Sequence, residues 1–120
     1  MSPVKIPSPE NQKLALSRLQ AHAKKRYIGR QGVKEIRAHF KGNALFLEVV
    51  KEAKEGLVGR VFKMGTVRGV ARLARLEFLS PNKWKFLIYK GDIQKYTNHR
   101  DLREGTIEEC LDVAAKVYLT

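Results

Sequence analysis

The chain has 120 residues and a mass of 13.7 kDa, the size of one domain, and at 43% hydrophobic it holds enough apolar side chains for a core. Its 24 Lys and Arg against 12 Asp and Glu leave a net charge of +12, an excess that favours an anionic partner. The single cysteine, Cys110, excludes an internal disulfide and a CxxC zinc site, the three histidines lack ligand spacing, and no apolar run is long enough to cross a membrane as a helix.

Residues 1–7 carry two prolines and read as a flexible arm; residues 8–120 read as one domain. The prolines stand where a secretory signal has its apolar stretch, so a cytoplasmic location is expected. Ser8-Pro9-Glu10 is a helix start: a capping hydroxyl, a proline at the first helical position and an acid in the first turn. The helix is expected to run to Ile28, with Leu16, Leu19, Ala23 and Tyr27 as its apolar stripe, Ala15 beside it and Gly29 as the C-cap.

Val33 to Lys41 alternates as a strand, with Ile36, Ala38 and Phe40 on one face and Arg37, His39 and Lys41 on the other. Gly42-Asn43 is a turn, and Ala44 to Lys51 a second strand with Leu45, Leu47 and Val49 inward. Leu57 to Lys63 reads as a weaker strand and residues 64–69 as a loop or bulge. Val70 to Leu79 places Ala74, Leu76 and Phe78 inward; Trp84 to Lys90 and Ile93 to Thr97 form a hairpin across Gly91-Asp92. Residues 98–105 read as a polar loop. Thr106-Ile-Glu-Glu109 has capping-box spacing and opens a last helix, with Ile107, Cys110, Leu111, Ala114 and Tyr118 on its stripe. The expected fold is two-layer α+β, an antiparallel sheet of four or five strands flanked by an N-terminal and a C-terminal helix, both on one face.

Three stretches taken together, Ile36-Arg-Ala-His-Phe-Lys-Gly42, Trp84-Lys-Phe-Leu-Ile-Tyr-Lys90 and Gly105 to Leu119, resemble a family of small bacterial hypothetical proteins with no established activity. The resemblance spans roughly residues 34–119, and the closing stretch is its most specific part. Lys85 stands where family members more often have glycine, and this chain is the more basic. The resemblance implies no functional residue.

Function is therefore read from chemistry. Residues 1–100 hold 22 basic and 7 acidic side chains, whereas residues 101–120 hold 2 and 5, so the last helix is an acidic island on a basic body. Lys24, Lys25, Arg26 and Arg30 close the first helix; one or two satisfy the helix dipole, and four exceed that need. Arg37, His39 and Lys41 share a strand face that Arg75 and Lys85 from other strands can join, and Phe46 and Tyr89 have the same parity. Cations interleaved with rings on an open sheet suit single-stranded nucleic acid, the charges for phosphate and the rings for stacked bases. The same rings equally suit a sheet face covered by a second copy of the chain.

The leading expectation is a non-enzymatic protein that binds DNA or RNA through a basic surface made of these cations and Tyr89. The alternative is a homodimer through the sheet face. No cofactor, metal or membrane partner is expected. Enzyme signals are slight: Glu52-Ala-Lys54 resembles the tail of a nuclease motif without its upstream aspartate, and His99-Arg-Asp101 sits in a polar loop. Cys110 is expected in the core.

Overall fold

The computed structural model describes residues 6–30, 32–51 and 69–118. Helix α1 spans Pro9–Arg26, and Ser8 caps it by accepting from the Asn11 amide at 3.2 Å. The helix closes where the Tyr27 and Ile28 amides both donate to the Ala23 carbonyl, and Gly29 then turns at φ 83°. Pro7, the last residue of the expected arm, is buried, and its carbonyl accepts from Gln12 Nε2 at 3.1 Å.

Strands β1 (Val33–Lys41), β2 (Ala44–Lys51), β3 (Val70–Ser80), β4 (Lys83–Lys90) and β5 (Lys95–Asn98) form an antiparallel meander in chain order. A two-residue strand, β6 (Glu104–Gly105), pairs with β4 beyond the end of β5, for six strands among the described residues. Helix α2 spans Ile107–Tyr118, and its capping box forms as expected: Glu109 N donates to Thr106 Oγ1 at 3.2 Å, and Thr106 N to Glu109 Oε1 at 2.9 Å. The described residues thus have the expected α+β architecture, an N-terminal and a C-terminal helix flanking one antiparallel sheet.

Both helices lie on one face of the sheet. Ala15, Leu19 and Ala23 of α1 and Ile107, Cys110, Leu111, Ala114 and Ala115 of α2 form one cluster with Ile36, Leu45, Leu47, Leu73, Leu76, Trp84, Phe86 and Ile88. Alternation puts these strand residues inward because the sheet has one dry face.

Several details differ from the expectation. Helix α1 ends at Arg26 with Tyr27 as its cap, two residues before Ile28. Ile93 is outside the hairpin strand: residues 91–94 form a turn in which Gln94 takes φ 52°, and Ile93 is 50% exposed. Tyr118 is on the rim, its hydroxyl donating to the Tyr89 carbonyl, and Ala115 fills the buried helical position instead. The loop over 98–105 contains β6, held where the Phe86 amide donates to Arg103 O at 2.8 Å. Leu73 is an extra residue in β3, because the register steps from Leu47↔Ala74 to Glu48↔Arg72. The expected strand over Leu57 to Lys63 lies outside the described residues.

Gly69 marks the return into β3. It has φ 73°, its carbonyl accepts from the Lys51 amide at 2.9 Å, and a Cβ there would lie 2.6 Å from the Lys51 carbonyl oxygen. Only glycine fits so close an approach.

Candidate nucleic-acid interface

The sheet face away from the helices is built by strand parity. Glu35, Arg37, His39 and Lys41 of β1 lie beside Phe46, Glu48 and Val50 of β2. Arg72, Arg75 and Glu77 of β3 follow, then Lys85, Leu87 and Tyr89 of β4, and Tyr96 and Asn98 of β5. No helix or strand among the described residues covers this face.

Its centre is a band of rings. His39 stacks on Phe46, with centroids 5.4 Å apart and 15° between planes. Phe46 meets the edge of Tyr96 at 5.7 Å, and Tyr96 meets Tyr89 at 5.0 Å. Phe46 and Tyr96 belong to strands with two others between them, so the two rings lean together over Arg75 and Leu87. Arg75 lies beneath: its Nε is buried without a hydrogen-bond partner, and its guanidinium sits 5.6 Å from the Phe46 ring centre. Arg72, which is exposed, places its guanidinium 5.5 Å from the centre of Tyr89. Burial pushes the Tyr96 hydroxyl above its ordinary pKa.

The face is less basic than its cations suggest. Arg37 pairs with Glu35 at 2.8 Å, and Glu77 lies 3.0 Å from Arg75 and 3.9 Å from Lys85. Glu48 sits across the strands from Arg37 and Arg72. Lys41 is exposed and makes no ion pair among the described residues.

The ten residues singled out from the sequence therefore separate into two groups. Arg37, His39, Lys41, Arg75, Lys85 and Tyr89 share the outer sheet face. Lys24, Lys25 and Arg26 end α1 and Arg30 follows in the turn, so this group belongs to the helix layer on the other side of the sheet. Lys24, Lys25 and Arg30 are exposed. Arg26 is engaged: its Nη1 donates to Asp112 Oδ2 of α2 at 3.3 Å. The acidic helix thus answers part of the basic cluster.

Asp112 is the centre of that contact. Its Oδ1 accepts from the Tyr27 hydroxyl and lies 2.8 Å from His22 Nε2. One turn earlier, Arg18 donates to Glu108 through Nε at 3.0 Å and Nη2 at 2.7 Å, holding that carboxyl below the usual carboxylate range. Residues four apart on each helix thus meet in two rungs. Replacing Asp112 by asparagine is expected to cost about 1–2 kcal/mol, since the site is partly exposed. The Tyr27 pKa, pushed up to about 12 by burial first and the Asp112 hydrogen bond second, should fall towards its ordinary value yet stay raised. Urea unfolding and an alkaline tyrosine titration check the two outcomes; an unchanged midpoint contradicts the reading of Asp112 as the joint of the two helices.

Arg72 and Tyr96 were not singled out from the sequence. Uninterrupted alternation back from Ala74 turns Arg72 inward, and the extra residue Leu73 reverses this. An arginine at an inward parity beside a leucine at an outward one was the available signal. Tyr96 joins the face because the turn over 91–94 sets it directly opposite Tyr89.

The enzyme signals gain nothing. His99 Nδ1 accepts from the Asp101 amide at 3.1 Å, a local loop contact, and the Glu52-Ala-Lys54 stretch lies outside the described residues. Among the described residues no group of three His, Cys, Asp or Glu is placed to hold a metal ion, and no helix is long and apolar enough to cross a membrane. Comparison of the chain with known protein families, with curated proteins and with solved structures finds no match.

Proposed function

We propose that this protein binds single-stranded nucleic acid on the outer sheet face, without catalysing a reaction. The observation that carries the reading is the ring band His39–Phe46–Tyr96–Tyr89 with Arg72 and Arg75 laid against it, in a chain of net charge +12. Rings stack bases whatever their sequence, and an exposed arginine resting on a tyrosine can move to a phosphate while a base takes its place. Lys41 and Lys24, Lys25 and Arg30 add long-range attraction for the phosphate chain.

Binding of a labelled single-stranded oligonucleotide at two salt concentrations tests this. Tyr89→Ala is expected to cost about 1–3 kcal/mol by losing one stacked base. Arg72→Gln is expected to shrink the log-log salt slope by about one. Replacing Lys24, Lys25 and Arg30 together by glutamine should weaken binding while preserving the fold. Unchanged affinity and slope in all three variants sinks the proposal.

A second reading rests on Glu77. By pairing with both Arg75 and Lys85 it withdraws two cations from phosphate, which suits a face closed by a second copy. In that case Tyr89→Ala lowers the molar mass in solution and leaves oligonucleotide binding little changed.

A further inference from the structure

Among the described residues β1 is an edge of the sheet, and the phase of its outward groups follows from the hairpin. Gly42-Asn43 is a two-residue hairpin loop, so Lys41 and Ala44 close it as a hydrogen-bonded pair. His39 and Arg37 then bond to β2, while Ile36, Ala38 and Phe40 turn their amides and carbonyls outward. Two contacts agree with this phase. The Ile36 carbonyl accepts from Gln20 Nε2 of α1 at 2.8 Å, outside the ladder. Val33, one bulge residue further back, bonds in both directions with the preceding turn, to Arg30 O at 2.9 Å and from the Gly29 amide at 2.8 Å. The edge is thus sealed at its start and open at Ala38 and Phe40 among the described residues.

We propose that two copies of this chain pair edge to edge through β1, antiparallel, about a two-fold axis at Ala38. In that register Ala38 exchanges both backbone bonds with the partner's Ala38. On the helix side Ile36 meets the partner's Phe40, and half-buried Phe40 gains cover. On the outer side Glu35 meets the partner's Lys41, twice by symmetry. Arg37 meets the partner's His39, with its charge already engaged by Glu35.

Neighbouring registers are worse. Moving the axis to residue 37 sets Arg37 against the partner's Arg37, and moving it to residue 39 sets Arg37 against the partner's Lys41. Like charges directly opposite disfavour pairing, whereas opposite charges there support it. Edge strands commonly use charge to prevent pairing; here a lone acid placed six residues before a lysine turns the same charges into a self-complementary code. Gln20 does not block the pair, because a carbonyl accepts two donors.

The axis stands perpendicular to the sheet, so both outer faces look the same way and the two ring bands become parts of one continuous surface. The pairing does not depend on what that surface binds.

Light scattering over a range of protein concentrations, without nucleic acid, tests it. The mass is expected to rise from 13.7 kDa towards twice that value. Lys41→Glu should raise the dissociation constant of the pair by about tenfold or more, and adding Glu35→Lys to it should restore pairing. Ala38→Pro removes a donor that faces away from β2, so it should abolish pairing and spare the internal ladder. A monomer at every concentration overturns the proposal. So does a dimer indifferent to Lys41→Glu, and loss of that dimer with Tyr89→Ala would assign it to the sheet face instead.

Discussion

Replacing Trp84 by alanine is expected to cost about 3–5 kcal/mol, a large part of the 5–15 kcal/mol typical of such a domain. Trp84 is 1% exposed and joins three strands: its ring meets Phe78 edge-on at 5.2 Å and Phe40 at 6.1 Å. Its Nε1 is buried with no hydrogen-bond partner, so the indole contributes by filling space and not by a polar contact. Trp84→Phe should therefore cost far less, about 1 kcal/mol, because it keeps most of the ring and removes an orphan donor. Urea unfolding with an unchanged slope reads both values. A Trp84→Phe loss well above that value would mean that Nε1 does have a partner.

Alkaline pH is expected to remove about 4 kcal/mol of stability through Cys110 alone. Burial first, then the nearby Glu109 and Glu108, push this thiol from 9.0 up to about 12. The raised pKa fixes the sign. Between these values the folded protein keeps a proton that the unfolded chain has lost, so this contribution is complete below pH 9 and fades as pH climbs to 12. Tyr27, raised from 10.0 to about 12, adds to the loss in the upper part of the same window. Stability of Cys110→Ala should fall less steeply from pH 9 than that of the native chain. In agreement, the native thiol should react slowly with a thiol reagent and rapidly in urea. Fast labelling of the folded protein would contradict the placing of Cys110 in the core.

Much of this fold was legible because the chain marks its own boundaries. Ser8 and Thr106 with Glu109 fix the helix starts through side-chain bonds that need nothing distant. Gly42-Asn43 and strict alternation fix β1 and β2 to the residue. The turn over 91–94 was not legible, since Ile93 is a good strand former and only the hairpin geometry rejects it. Nor was β6, whose two residues have no periodicity and are held by β4. The site was half legible for the same reason. Parity placed Arg37, His39, Lys41, Arg75, Lys85 and Tyr89 on one face, but partners came from other strands and helices. Glu77 is found on Arg75 and Lys85, and Asp112 on Arg26, only once the elements are packed.

The extra residue Leu73 gives β3 one unit of slack in its numbering against β2. Deleting Leu73 would leave Arg72 opposite Glu48 and Ala74 opposite Leu47, so every side chain on either flank would keep its face. Deleting Ala74 would do the same, with Leu73 moving into its inward place. A deletion at Leu76 or Glu77 has no such neighbour: closing the gap would turn Arg75 inward or Phe78 outward. Length variation within this strand should therefore be tolerated at its two irregularities, Leu73 against β2 and Leu79 against β4, and least between them.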